Sequence, residues 1–217
     1  MSVLDGFKNS APLMLEGLKI TLELAVLGVV FALVLGLLVA WMRMSRLAVL
    51  RLPAQGYLAL IRGTPLVAQL FVIYYGLVTL VNISAFWSAV IGLAVHNAAY
   101  LAEIFRSGVQ SVPRGQSESA RSLGMSKTQA MRIVVAPQAF RAILPSLGNQ
   151  FIIAIKDTAV ASFITVPELF MQAQKLAAAT YEPLTYYLIS AVYYLVIVLI
   201  LTALLRRLER RHTRYAI

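Results

Sequence analysis

Residues 113–137, PRGQSESARSLGMSKTQAMRIVVAP, form the longest charge-bearing interval inside a chain that is otherwise mostly hydrocarbon. The stretch reads as two short helices with a break between them. Ser117 suits the cap of the first, with Glu118 in its first turn, where the helix dipole favours an anion. Gly124 suits a left-handed stop after that helix, and Met125 is the apolar residue expected beyond it. Ser126 and Gln129 have the spacing of a capping box, so a second helix starts there. It carries Ala130, Met131, Ile133 and Val134, and Pro137 is expected to end it. Two helices with apolar residues on one side and Arg121, Lys127 and Arg132 around them are open to three readings. They could form a nucleic-acid reader, a plain loop between membrane spans, or a docking surface for another protein.

Composition narrows the choice. Of 217 residues 60% are hydrophobic and only 13% charged, with a mean hydropathy of +0.79. A soluble domain carries about 25% charged residues, so this is an integral membrane protein. The net charge of +10 would point to nucleic acid in a soluble chain, but in a membrane protein Lys and Arg collect in cytoplasmic loops. No nucleic-acid partner is therefore expected. The chain has no Cys, and its two His, His96 and His212, stand far apart. A thiol nucleophile, a thiolate site and a clustered metal site are not expected. No GxxxxGK[ST] motif occurs, so no P-loop nucleotide site is expected either.

Charge placement gives the topology. Residues 1–23 mix both signs (Asp5, Lys8, Glu16, Lys19, Glu23), unlike a cleaved signal peptide. Residues 24–42 carry no charge, and Arg43, Arg46 and Arg51 follow, which places that end inside. Residues 63–102, forty in a row, carry no charge and suffice for two spans, with a break near Val81-Asn82-Ile83-Ser84. Arg62 and Arg106 mark their inner ends. A fourth hydrophobic segment runs from Arg141 to Val166, interrupted by Lys156 and Asp157. Residues 167–182 read as an outer polar connection, and 183–205 as the last span. Fifteen of the 19 Lys and Arg fall within 43–62, 106–141 and 206–214, all assigned inside. The expectation is one all-α membrane domain over 1–217, with the N-terminus out and the C-terminus in. Its spans are placed at about 18–42, 57–80, 86–110, 138–166 and 183–206, with the polar loop 113–137 in the cytoplasm between spans three and four.

Ionisable residues within spans are functional candidates, since hydrocarbon penalises them. Glu103, Lys156 and Asp157 qualify. Lys156 and Asp157 are adjacent and so point about 100° apart on a helix. Two roles stay open for them: structural pairing, as between Glu103 and Arg106, and a ligand or gating role, for which Thr158 adds a hydroxyl. Arg62-Gly63-Thr64-Pro65 forms a second polar knot. Its helix start offers free N–H groups to a carboxylate, or ordinary capping. Asn97, Tyr100 and Glu103 share one helix face loosely. Gln69, Tyr74 and Tyr75 add polar handles. Thr64, Gln69, Asn97, Tyr100, Glu103, Lys156, Asp157 and Thr158 are expected near comparable depth in their spans, and together they offer a cation and anions to a charged ligand.

These features meet in a known family. Residues 118–137, E-S-A-x3-G-x9-V-x-A-P, resemble the EAA loop of ABC-transporter permeases, EAA-x3-G-x9-I-x-LP. Glu118, Ala120, Gly124 and Pro137 match, while Ser119, Val134 and Ala136 depart mildly. RGTPLVAQLFVIYYGL (62–77), NAAYLAEIFRSGVQSVPRGQ (97–116), PQAFRAILPSLGNQFI (137–152) and KDTAVASFITVPELF (156–170) resemble the polar amino-acid permeases of bacterial importers, the cystine type above all. The resemblance implies a five-span inner-membrane subunit of the type I importer fold, not itself an enzyme. It implies a second permease subunit, identical or paralogous, two separate ATPase subunits that bind ATP and Mg, and an extracytoplasmic amino-acid-binding protein. Membrane lipid surrounds the subunit, and no cofactor is expected in this chain. The ATPases would dock on Glu118, Ala120, Leu123, Gly124, Met125 and Pro137, and ATP-driven closure would move the spans in alternating access. An ion-coupled secondary transporter of a small polar solute is the alternative that Glu103, Lys156 and Asp157 permit.

Overall fold

The computed structural model describes residues 3–78 and 81–213, and among them every regular element is helical. In order they are α1 (Val3–Met44), α2 (Ala48–Gly63), α3 (Leu66–Val78), α4 (Ala85–Ser111), α5 (Arg114–Ser122) and α6 (Lys127–Gln129). A π turn (Ala130–Val135) leads into α7 (Ala136–Asp157), a 3-10 segment (Thr158–Ile164) follows it, and α8 (Leu169–Thr180) and α9 (Pro183–Thr213) close the chain.

The pairing of α1 with α4 is the spine of the molecule. Gly28, Ala32, Gly36 and Ala40 repeat every fourth residue, so they line one stripe of α1 and are all buried. A Cβ added at Gly36 would lie 2.9 Å from the Leu101 Cβ and 3.0 Å from the Ala98 carbonyl oxygen. Small residues at this spacing let two backbones approach, which is how helices associate where no water drives them together. The opposite face, with Val34, Leu37 and Trp41, is exposed apolar surface suited to lipid.

Three local outcomes differ from the sequence expectation. Span two was expected as one helix over 57–80. Instead α2 and α3 meet at a bend of 110°. Pro65 has no N–H and pushes the residue before it out of the helical region. Thr64 is accordingly extended, at φ −125° and ψ 149°. Pro137 does not end the second loop helix. The chain passes from α6 through the π turn directly into α7, with Pro137 in the first turn of α7. The wider turn lets Ala136 N–H donate to the Met131 carbonyl, and the missing proline donor falls within this rearranged ladder. Residues 167–182, expected as an outer polar connection, are mostly helical and partly buried. Most of them form α8, whose Leu169, Gln172, Ala173 and Ala177 are buried with Met14 of α1 and Ile189 of α9 in the same region.

Helix lengths depart from the expected spans as well. α1 covers 42 residues and so begins well before the expected span at 18. By length and composition, three helices can cross a membrane on their own: Gly6–Met44, Ala85–Ser111 and Pro183–Arg207. The bent pair α2–α3 makes a fourth candidate. The expected fourth span, 138–166, is α7 plus the 3-10 segment. Gln138, Arg141, Asn149, Gln150, Lys156 and Asp157 give it a polarity that a lone lipid-facing helix would not carry. It packs antiparallel against α4 instead. A Cβ at Gly108 of α4 would meet Ile143 of α7, and Asn97, earlier in α4, bonds to Gln150, later in α7.

Candidate functional site

The loop between α4 and α7 is a compact knob. Pro113 opens α5, and the Gln116 N–H donates to its carbonyl at 3.0 Å. Helix formation therefore starts ahead of Ser117, which is not the cap, and Glu118 lies past the first turn. Ala120, the match to the third position of the family motif, is buried beneath the knob. The stop of α5 is a Schellman motif: Met125 N–H donates to Ala120 O at 3.2 Å and Gly124 N–H to Arg121 O at 3.0 Å. Gly124 takes φ +87°, the left-handed region. Ser126 and Gln129 form the expected capping box, Ser126 N–H donating to Gln129 Oε1 at 2.8 Å and Gln129 N–H to Ser126 Oγ at 3.3 Å. Gln138 Nε2 donates to Gln116 Oε1 at 3.3 Å, tying α5 to the start of α7. At the tip Leu123 is 82% exposed, Met125 is half-buried, and Ile133 is exposed to one side. Glu118 and Pro137 are exposed as well. An apolar side chain held out on a rigid two-helix support is a natural plug for a groove in another protein.

The eight candidate residues of the substrate path divide into three groups. Gln69 clasps the α2–α3 bend: its Nε2 donates to Ile61 O at 2.8 Å, Thr64 O at 3.0 Å and Thr64 Oγ1 at 2.9 Å. These bonds satisfy carbonyls that the bend leaves without helical donors. Gln69 Oε1 faces His96 Nδ1 at 3.0 Å, and the His96 ring lies 5.1 Å from the Tyr100 ring. Thr64, Gln69 and Tyr100 are thus brought together, with His96 as a member that its apolar sequence surroundings had concealed.

Asn97 is fully buried; its Nδ2 donates to Leu93 O at 2.9 Å and its Oδ1 accepts from Gln150 Nε2 at 2.8 Å. It joins α4 to α7. Glu103 sits two turns further along α4 within a ring of arginines. Arg43 Nη1 approaches at 2.8 Å, Arg106 Nε at 2.9 Å and Arg62 Nη1 at 3.8 Å. Sequence reading supplied only Arg106, because the other two lie on α1 and α2.

Lys156, Asp157 and Thr158 stand at the far end of α7. Thr158 is buried and donates to Ile155 O at 2.7 Å. Lys156 lines an open cavity of about 500 Å³ with Phe170, Tyr187, Ser190 and Tyr194. The Asp157 side chain makes no hydrogen bond with other described residues, and Lys156 is its charged neighbour. Asn97 and Gln150 set a common level on antiparallel helices. Glu103 and Lys156 lie six residues from it in opposite directions, so at ~1.5 Å per residue they are ~18 Å apart along the bundle. The expectation of one shared depth does not hold.

A further polar cluster escaped the sequence reading. Glu168, placed outside by that reading, is fully buried. It caps α8, accepting from Phe170 N–H at 2.9 Å and Met171 N–H at 2.7 Å, and takes the Tyr194 hydroxyl at 2.8 Å and the Thr21 hydroxyl at 3.5 Å. The signal available was an acidic residue just before an apolar helix, the pattern of an N-cap. Among the described residues no cluster of His, Cys, Asp and Glu could hold a metal ion.

Residues 32–214 match the family described as the binding-protein-dependent transport system inner membrane component. One relative is the probable amino-acid ABC transporter permease PatM of Vibrio harveyi, 44% identical over 195 residues, 88% of this chain and 87% of that protein. Another is the glutamine transport system permease GlnP of Escherichia coli K12, 41% identical over 203 residues, covering 92% and 93%. The crystal structure of an amino acid ABC transporter with histidines superposes at a TM-score of 0.91 and 43% identity, over 97% of this chain and 99% of that one. The inward-facing MetNI methionine ABC transporter has a TM-score of 0.82 at 19% identity, over 98% and 99%, and shares the fold.

Fold and knob together define a multi-pass, all-helical membrane transport component. The chain belongs to the family of binding-protein-dependent transport-system inner-membrane components, as the permease subunit of an amino-acid ABC importer. Nothing in these relationships supports the ion-coupled alternative.

Proposed function

We propose that this permease pairs with a second permease subunit, is driven by two ABC ATPase subunits docked on its knob, and receives a polar amino acid from an extracytoplasmic binding protein. ATP and Mg are bound by the ATPases. One observation carries the reading: the knob, from the Schellman turn at Gly124 through the π turn, is continuous with α7. A push on the knob at Leu123 and Met125 would be transmitted through the continuous helical segment that runs from Lys127 to Lys156 and Asp157. ATPase closure would then tilt α7 against α4, opening the path to one side at a time.

The substrate path is a series of stations along the α4–α7 interface. Glu103 is engaged by arginines, so the substrate ammonium falls to Asp157, whose side chain makes no hydrogen bond among the described residues and has only Lys156 as a charged neighbour. Lys156 or the polar bend at Thr64 and Gln69 takes the carboxylate, and Asn97, Tyr100 and Thr158 line the route. The substrate class is the polar amino acids: cystine, glutamine, glutamate, arginine or histidine. A substrate-stimulated ATPase screen on the co-purified complex names the member. In the same assay, Asp157→Asn is expected to raise the half-saturating amino-acid concentration about tenfold, the scale of losing one charge-assisted contact of roughly 1.5 kcal/mol. Unchanged substrate dependence in an assembled complex would make Asp157 a structural residue.

A further inference from the structure

The arginine ring around Glu103 is not balanced. One carboxylate faces Arg43, Arg62 and Arg106, which leaves two positive charges in excess. Arg106 is well occupied: it hydrogen-bonds Glu103 through Nε and Gln110 through Nη1. Arg43 and Arg62 differ. Both lie within ion-pair distance of Glu103 Oε1, yet that oxygen accepts no well-aligned hydrogen bond. Neither arginine donates a hydrogen bond to any other described residue. An open cavity of about 510 Å³ lies beside them, lined by Arg43, Gln55, Leu58, Ala59, Arg62 and Gly63.

We propose that this pocket between α1 and α2 binds the phosphate of an anionic phospholipid. Two guanidinium forks converging on one cavity match the oxygens of a phosphate diester, and the Gln55 amide adds a donor for a headgroup hydroxyl. The source is read from the surface of the same two helices: Trp41 of α1 and Leu52 and Leu60 of α2 are exposed apolar residues, as helices in contact with lipid present. α2 has one buried face, with Ala54, Leu58 and Ile61, and an exposed face, as a helix lying at an interface would. Placement in the inner leaflet rests on the topology given above; phosphate binding does not.

The two tryptophans make the test direct. In the full-length Trp87→Phe permease, Trp41 is the remaining fluorophore, within one helical turn of Arg43. Nanodiscs of phosphatidylcholine are doped with brominated phosphatidylglycerol or brominated phosphatidylcholine. The expected result is preferential quenching of Trp41 by phosphatidylglycerol, with an apparent affinity advantage of about fivefold or more, the effect of one or two interfacial cations. Arg62→Gln should reduce the advantage, whereas Arg46→Gln, outside the pocket, should leave it. Equal quenching by the two lipids would overturn the lipid assignment. Calorimetric titration with inorganic phosphate separates the sources: heat there, with no lipid preference, would mean a soluble phosphate ligand, and absence of both signals removes the site. Equal loss of the preference in Arg46→Gln and Arg62→Gln would reduce it to general surface charge.

Discussion

Glu103 shows how much a single side chain can organise. Its carboxylate is the one point of attraction among three arginines that come from α1, α2 and α4. Removing it leaves cations repelling one another across three helix ends. The arginines are partly solvated, with side-chain exposures of 28%, 51% and 28%. The cost of Glu103→Gln therefore lies between that of a surface pair, about 0–1 kcal/mol, and that of a broken buried pair, about 3–5 kcal/mol. A loss of roughly 2 kcal/mol is expected, read as a lower thermal unfolding midpoint of the purified permease. Adding Arg43→Gln to that variant should recover part of the loss, because it removes an uncompensated charge. A double variant less stable than Glu103→Gln alone would show that Arg43 matters through packing rather than charge.

At the scale of elements, the knob is set by local chemistry at both ends of the four-residue turn between α5 and α6. Gly124 sits at φ +87° with open space where a Cβ would go, so what a substitution meets there is backbone strain and not a clash. Any L-residue in that region costs about 1 kcal/mol, and a β-branched one more. Gly124→Val is expected to leave the permease inserted, since the turn is outside the helical core, and to abolish amino-acid uptake by shifting Leu123 and blocking close approach of the ATPase. Uptake in proteoliposomes and co-purification with the ATPase read the two effects separately. Normal uptake in the variant would reduce the knob to a connector. The π turn extends the same argument. Because Pro137 is absorbed and not allowed to break the chain, the loop helix and α7 form one continuous helical segment.

At the scale of the molecule, the arginine-rich ends of α1, α2 and α4 and the knob lie on one side of the bundle, and the α8 cap lies toward the other. From the cation distribution the first side is expected to face the cytoplasm. A reporter active only in the periplasm should work when fused near Asn82 or Ala178 and fail when fused near Ser119. Activity at Ser119 would invert the topology and remove the basis for ATPase docking there. The peripheral position of α9, with Leu188, Leu195 and Leu199 exposed, leaves its apolar face to lipid or to a second permease.

Composition, charge placement and capping rules act over a few residues, so they could be read directly. The membrane class, the left-handed stop at Gly124 and the Ser126–Gln129 box follow from such short-range patterns. Two further signals are equally local: the four-residue spacing of Gly28, Ala32, Gly36 and Ala40, and Pro65, whose helix start implies a break within residues 57–80. The tertiary structure decided what partners distant residues acquire. Thr21 meets Glu168 across 147 positions, Asn97 meets Gln150 across 53, and Arg43 reaches Glu103 from another helix. It also decided depth, placing Glu103 and Lys156 far apart along the bundle. No local pattern encodes these pairings. They depend on which faces of α1, α4, α7 and α9 pack together, and packing is settled by the fit of whole helix surfaces.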